Sequence, residues 1–185
     1  RLILKEMIEK AEQGDVNAQW ELGLKFYKGE EVKKNYTLAA HYYKLAAEQG
    51  NQYAQNNLGL LYDRGQGVDR DYNLAFHYYG LAAEHGDEIA QCNLGLLYVN
   101  GQGVVRDYAL AAHYFKLSAE QGYDLAQYNL GLLYLNGHGL VQDYTFAAHY
   151  FKLAAEQGYA KAQYNLGFLY FNGQGVAQDY TLAAH

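Results

Sequence analysis

Apolar residues recur at helical spacing in two short segments of each stretch of 36 residues. In residues 123–158 the first segment runs from Leu125 to Leu135 and stops at the glycine-containing residues 136–139. The second runs from Tyr144 to Gln157 and is closed by Gly158. Apolar positions three and four residues apart place one face of each segment in a core, and a glycine after the last turn is typical of a helix C-terminus. The pattern predicts two helices, A and B, joined by a turn, with Asp143 placed to cap helix B.

Equivalent residues return at a constant step along the whole chain, with no insertion or deletion. The step is 36 residues for a glycine column and a tyrosine column, made up of Gly14, Gly50, Gly86, Gly122 and Gly158, and of Tyr36, Tyr72, Tyr108, Tyr144 and Tyr180. A fixed period of this length is typical of solenoids, in which each unit buries its apolar face against the next. We therefore predict an all-α fold, a right-handed alpha-alpha superhelix (solenoid) of 36-residue helix-turn-helix repeats. We divide the chain into a lead-in helix, 1–14, the repeats 15–50, 51–86, 87–122 and 123–158, and a partial repeat, 159–185, beyond which we expect the array to continue.

The repeated motif resembles the SEL-1-like repeat family, a relative of the tetratricopeptide repeat. The resemblance is carried by the residues 126–131 (AQYNLG), Tyr134, Gly137 and Gly139 in helix A and its turn, and by the residues 154–158 (AAEQG) in helix B. It spans nearly the whole chain. It implies adaptor and scaffold roles, such as those in membrane-associated protein degradation complexes and in bacterial proteins that engage host or envelope partners, but it does not imply one ligand.

Composition narrows the classes of function. Half of the residues are apolar and there is no proline, which favours uninterrupted helices. The net charge of -6 argues against nucleic acid as a partner, since a phosphate-backbone binder needs a basic face. No apolar run approaches the roughly 20 residues of a membrane helix, so we expect no membrane insertion. A single cysteine excludes an internal disulfide framework, and the sequence leaves cytoplasmic and bacterial secreted or envelope locations open.

Residues with catalytic potential are present, but their arrangement argues against catalysis. One histidine recurs per repeat, in a row made up of His41, His77, His113, His149 and His185. Packed helices lie roughly 8–10 Å apart, whereas two ligands of one zinc ion both lie about 2 Å from it, so a row cannot chelate one ion. The lone Ser118 replaces an alanine of the core, and the Gly-x-Gly turns lack the lysine of a phosphate-binding loop. We predict no enzymatic activity, no metal and no cofactor.

Helix A offers three rows of residues that the predicted core does not use, and we expect them to line a concave groove. The asparagine row consists of Glu21, Asn57, Asn93, Asn129 and Asn165, the aromatic row of Trp20, Asn56, Cys92, Tyr128 and Tyr164, and the terminal row of Lys28, Arg64, Asn100, Asn136 and Asn172. Asparagine carries donors and an acceptor, so a ladder of asparagines suits the backbone of an extended peptide. Alternatively, these asparagines bond within the array. As peptide- or protein-binding residues we select Trp20, Lys28, Asn57, Arg64, Asn93, Asn100, Tyr128, Asn129, Asn136, Tyr164, Asn165 and Asn172.

The terminal row is basic at one end, where Lys28 and Arg64 precede three neutral residues. One hypothesis is that a partner's carboxylate, from an acidic side chain or a C-terminus, docks there. The alternative is that Lys28 and Arg64 pair with Glu21 and Asp63 at the surface. The position of Cys92 in the aromatic row predicts a partly accessible thiol.

The function predicted from the sequence is an interaction scaffold that binds a peptide or protein segment of unknown identity in the groove. The alternative is a structural spacer or self-assembling array without a peptide ligand. End-to-end self-association at the C-terminal partial repeat belongs to this second hypothesis. Variation along the groove distinguishes the two, because a spacer has no need to change Trp20 to Asn56 and Tyr128 at equivalent positions.

Overall fold

A computed structural model describes residues 2–185, and every regular element in that range is a helix. The helices are α1 Leu2–Glu12, α2 Val16–Lys28, α3 Tyr36–Glu48, α4 Gln52–Arg64, α5 Tyr72–Glu84, α6 Glu88–Asn100, α7 Tyr108–Glu120, α8 Asp124–Asn136, α9 Tyr144–Glu156, α10 Ala160–Asn172 and α11 Tyr180–Ala183. The even-numbered helices from α2 to α10 are the A helices, and the odd-numbered helices from α3 to α11 are the B helices. The predicted all-α fold of helix-turn-helix repeats is confirmed.

The helices form two compact units. Unit 1 comprises the residues up to Ala90 together with Gln102–Val104, and unit 2 comprises Gln91–Gly101 and Val105–His185. Within each unit an A helix packs against the B helix of its own repeat and against the B helix that precedes it, as α4 does with α5 and α3, and α8 with α9 and α7.

The predicted caps of the B helices are confirmed. Asp71, Asp107, Asp143 and Asp179 each accept a hydrogen bond of 3.0 Å from the backbone N–H three residues on. Such a bond satisfies one of the amides that a helix start leaves without a partner. Each B helix therefore begins at the same point of its repeat.

Glycine within the A helices allows close packing inside a repeat. A Cβ at Gly59 would overlap the ring of Tyr79, and one at Gly131 would overlap the ring of Phe151. Both rings are fully buried. The small residue on helix A and the aromatic residue on helix B therefore fit together as one core contact.

A second close contact joins consecutive repeats at the Gly-x-Gly turn. Gly67 has a φ of 71°, and a Cβ on it would overlap the carbonyl group of Tyr36 at the start of the preceding B helix. Gly139 meets Tyr108 in the same way in unit 2. In the first repeat the corresponding residue is Glu31, which keeps a left-handed φ of 62° and forms a 3.0 Å ion pair with Lys25.

A pair of glutamines from one repeat also bonds to the backbone of the helix and turn that precede that repeat. In unit 1, Nε2 of Gln19 donates to the carbonyl of Ala11 at 3.0 Å, while Nε2 of Gln49 reaches both Oε1 of Gln19 at 2.7 Å and the carbonyl of Gly14 at 3.1 Å. In unit 2 the same bonds link Gln127 to Ala119, and Gln157 to Gln127 and Gly122. The buried side chain of one A helix is thereby tied to the turns on either side of it.

Candidate functional site

The terminal row is the most accessible of the three predicted rows of helix A. Its five members, Lys28, Arg64, Asn100, Asn136 and Asn172, are all exposed. In the asparagine row Glu21 is exposed, and Asn57, Asn93, Asn129 and Asn165 are half-buried. The residues of these two rows reach the surface of their unit, and their role in binding stays a prediction.

Two asparagines use part of their hydrogen-bonding capacity within their own helix. Nδ2 of Asn129 donates to the carbonyl of Leu125 at 2.8 Å, and Nδ2 of Asn172 donates to that of Phe168 at 3.1 Å. These bonds agree with the alternative that asparagines bond within the array. They occupy one N–H of each amide and leave its Oδ1 as an acceptor.

The aromatic row lies mainly in the packing between repeats. The ring of Trp20 lies 5.7 Å from that of Tyr53, and the ring of Tyr128 lies 5.0 Å from that of Tyr159. Tyr53 and Tyr159 both stand at the start of the following A helix. Tyr164, in the last A helix of the chain, is 76% exposed.

The prediction of a partly accessible Cys92 thiol is wrong. Cys92 is fully buried in the core of unit 2, among residues that include Phe115 and Leu130. Its burial, with the neighbouring Asp124 carboxylate, raises the pKa of the thiol to about 12. Helical spacing showed that Cys92 faces away from the core contact inside its own repeat. It did not show that the side it faces is covered by packing between repeats.

Polar side chains gather on the A helices of unit 1. Nη1 of Arg64 donates to Oη of Tyr27 at 3.4 Å, and the hydroxyl of Tyr79 donates to Oδ2 of Asp63 at 3.1 Å. Lys28 lies 3.8 Å from Glu30. Within residues 2–185, neither Lys28 nor Arg64 forms an ion pair with Glu21 or Asp63. The alternative that they pair with these carboxylates at the surface is therefore wrong.

Two phenols of this cluster are buried. Burial raises the pKa of Tyr79 far above its usual range, and the adjacent Asp63 carboxylate raises it further. Burial likewise raises the pKa of Tyr43, whose hydroxyl lies beside Asn57 and has no hydrogen-bond partner among the described residues. Both hydroxyls therefore remain protonated donors at neutral pH.

A cavity of about 160 Å³ lies between α6, α7 and α8 in unit 2. It is lined by Val99, Tyr108, Phe115, Asn129, Leu132, Leu133, Asn136 and His138. At its edge the imidazole of His138 stacks on Tyr108 with ring centroids 4.7 Å apart. Small-molecule sites typically measure about 300–1,000 Å³, so this volume suits one side chain rather than a cofactor.

The histidine row lies on the B helices and is exposed throughout. Each imidazole with a tyrosine after it packs edge-on against that ring, as His41 does against Tyr42 at 5.1 Å and His149 against Tyr150 at 5.0 Å.

Within residues 2–185 no three His, Cys, Asp or Glu side chains come together in a way that suits a metal ion. None of the helices in that range has both the length and the apolar character needed to cross a bilayer. Ser118 is buried, as predicted for a packing residue.

Comparisons with known proteins agree on one family. The family model described as "Sel1 repeat" matches residues 16–51, 52–87, 89–123, 124–159 and 160–185. The structure is similar to that of c5321, a protective antigen of uropathogenic Escherichia coli strains that displays an SLR fold, with a TM-score of 0.91, 37% identity and coverage of 96% of this chain and 38% of that chain. It is also similar to a Sel1 repeat protein from Oxalobacter formigenes, with a TM-score of 0.86, 36% identity and coverage of 97% of this chain and 52% of that chain. No curated protein matches the sequence.

Proposed function

Because this chain belongs to the Sel1 repeat family, whose members are generally protein-interaction scaffolds, we propose that it binds a peptide or protein segment along the exposed residues of its A helices. Sel1 repeats typically mediate protein interactions, and the family generally consists of non-catalytic repeat scaffolds. The chain covers 38% and 52% of the two relatives described above, so the proposal concerns these repeats alone.

The observation that carries the proposal is the cavity of about 160 Å³ in unit 2. Leu132 and Val99 give it an apolar wall, and Asn129 and Asn136 stand beside that wall. Asn136 is exposed, and Oδ1 of Asn129 is left as an acceptor because Nδ2 bonds to Leu125. An apolar side chain in the cavity would bring the backbone of its segment to these two amides, which can bond to it whatever the flanking residues are.

The test is capture of a binding segment from lysate of the source organism by this chain and by two double variants. The first variant, Asn129→Ala with Asn136→Ala, removes the amides beside the cavity. The matched control, His149→Ala with Lys152→Ala, removes exposed residues of α9. We expect the first variant to lose proteins that the parent and the control both capture, with helical circular dichroism unchanged. Equal capture by all three proteins would place the binding surface elsewhere and contradict the proposal.

A second candidate function, self-association, has its own observation. α10 exposes three large aromatic residues, Tyr164, Phe168 and Phe171, each at least 54% accessible. An apolar face of this kind is typical of a contact between proteins. Sedimentation velocity should then show a concentration-dependent dimer that Phe168→Glu abolishes, whereas a monomer at all concentrations would exclude this candidate.

A further inference from the structure

Arg64 and Tyr27, on the A helices of unit 1, carry hydrogen-bond donors that no described acceptor uses. The guanidinium of Arg64 has five N–H groups, of which one bonds to Tyr27 at 3.4 Å. The Tyr27 oxygen receives that bond and keeps its own proton to donate. A bound group that satisfies this face must therefore supply acceptors.

The cations of α2 and α4 are Lys25, Lys28 and Arg64. Of these three, Arg64 alone has no carboxylate partner among the described residues. Lys25 pairs with Glu31 at 3.0 Å, and Lys28 lies 3.8 Å from Glu30. Arg64 is exposed and forms no ion pair within residues 2–185. An acceptor that carries negative charge would complete its coordination, because a carboxylate binds two guanidinium N–H groups at once.

Asp63, the residue before Arg64, does not fill this role. Its carboxylate accepts the hydroxyl proton of the fully buried Tyr79 at 3.1 Å, on the core side of α4. Its negative charge nonetheless opposes a second anion nearby. The Asp63 charge therefore weakens the binding of an anion at Arg64. An amide at residue 63 would remove this repulsion.

We infer that Arg64 and Tyr27 bind the side-chain carboxylate of a Glu or Asp residue in the segment that the A helices hold. The inference rests on the proposed function and names the chemistry of the partner at repeats 1 and 2. The carboxylate lies across the Arg64 guanidinium and accepts the Tyr27 proton.

Asn57 extends the site along the same helix. It stands seven residues before Arg64, which is two turns or about 10 Å of helix. An extended segment covers that distance in about three residues, so backbone atoms of the partner reach Asn57 when its carboxylate is at Arg64.

The acidic residue stands inside the segment rather than at its end. Arg64 is the last residue of α4 and is exposed, so a bound chain can continue past it into solvent. The other repeats do not offer this chemistry. Asn100, Asn136 and Asn172 replace the arginine, and Val99, Leu135 and Phe171 replace Asp63. Selection for an acidic residue therefore comes from repeats 1 and 2.

The test uses three pools of nine-residue peptides with random residues around a fixed central position. One pool has a central Glu and one a central Gln, both with blocked ends, and the third has a central Gln and a free C-terminal carboxylate. The immobilised full chain captures each pool, and mass spectrometry measures the amount retained. We expect the Glu pool to be retained about tenfold more than the blocked Gln pool, as for one charge-assisted bond.

Variants assign the selection to the named residues. Arg64→Gln should bring the ratio of Glu to Gln retention close to one, and Asp63→Asn should raise retention of the Glu pool. Lys152→Gln, which removes an exposed cation of α9 outside the A helices, is the matched control and should leave the ratio unchanged. A ratio that persists in Arg64→Gln, equal retention of the two blocked pools, or preference for the free C-terminus would each overturn the inference.

The inference and the proposed function fail separately. Equal retention of all pools, reduced by Asn129→Ala with Asn136→Ala, would leave the scaffold function standing without acidic selection. Retention of no pool by the parent chain would contradict both.

Discussion

Oε1 of Gln55 is buried without a hydrogen-bond partner, and His85 stands where three other repeats place the glutamine that would bond to it. The glutamines in those repeats are Gln49, Gln121 and Gln157, and each donates to the glutamine of an A helix at 2.7–2.8 Å. The His85 ring instead places Nδ1 2.8 Å from the carbonyl of Leu81, within its own helix. The glutamine pair of repeat 51–86 is therefore incomplete.

Completing the pair should stabilise the protein. We expect His85→Gln to raise the free energy of unfolding by about 1 kcal/mol, the usual net value of a hydrogen bond that satisfies a buried acceptor. Urea unfolding followed by circular dichroism measures the change. The reciprocal variant, Gln157→His, breaks a complete pair and should lower the free energy of unfolding by about 1–3 kcal/mol. No gain in His85→Gln would mean that Gln55 does not need this donor.

Tyr43 and Tyr79, the fully buried tyrosines of unit 1, should respond in opposite directions to loss of their hydroxyls. Tyr43→Phe removes a buried donor without a partner and should stabilise the protein by up to about 1 kcal/mol. Tyr79→Phe removes a bond to a carboxylate and should destabilise it by about 1–2 kcal/mol. Thermal unfolding of both variants measures the difference, and equal effects would contradict it.

The Gly-x-Gly turns should tolerate a side chain in the first repeat and reject one in the second. Gly67→Ala places a Cβ against the Tyr36 carbonyl at a left-handed φ and should cost about 2 kcal/mol or more. Glu31→Gly relieves a left-handed glutamate but loses an exposed ion pair with Lys25, so its effect should stay within about 1 kcal/mol. Chemical denaturation of both variants gives the comparison. A mild effect of Gly67→Ala would show that the turn can move away from Tyr36.

The cap of α6 should make stability depend on pH. Asp87 is 5% exposed and caps Ala90 at 2.8 Å, and burial raises the pKa of its carboxyl above the ordinary value. Because the folded protein holds this proton more tightly than the unfolded chain, stability falls as pH rises from the ordinary to the raised pKa. Asn51 caps α4 with the same geometry and without charge. Asp87→Asn should therefore be more stable than the parent at pH 7 and lose this advantage near pH 3, as urea midpoints at both pH values would show.

Cys92 should not react with a thiol reagent in the folded protein. With a pKa of about 12 and a fully buried side chain, it offers neither thiolate nor access at pH 8. One thiol should become reactive in denaturant at the same pH. Rapid modification under native conditions would show that unit 2 opens at this position.

Most of the fold could be predicted from the sequence because its signals are local. The apolar spacing of Leu125–Leu135 predicts α8, and Asp143 marks the start of α9, since caps and periodicity act within a few residues of chain. The candidate site depends on contacts between repeats, and the spacing of apolar residues along the chain does not show these contacts. Cys92 and Asn129 both face away from the core contact of their repeats, yet one is fully buried and the other is half-exposed. Similarly, Arg64 contacts Tyr27 across 37 positions of sequence, which no local pattern predicts.

The glutamine pairs have a consequence for how such a chain evolves. Gln157 bonds to Gln127 of its own repeat, 30 residues away, and to Gly122 at the end of the preceding repeat, 35 residues away. A recombination event that removes or duplicates 36 residues keeps these partners together, wherever in the period it occurs. Gene length can therefore change by whole repeats while the hydrogen bonds between neighbours are re-formed. The position of His85 fixes which glutamine is left without a partner in each product.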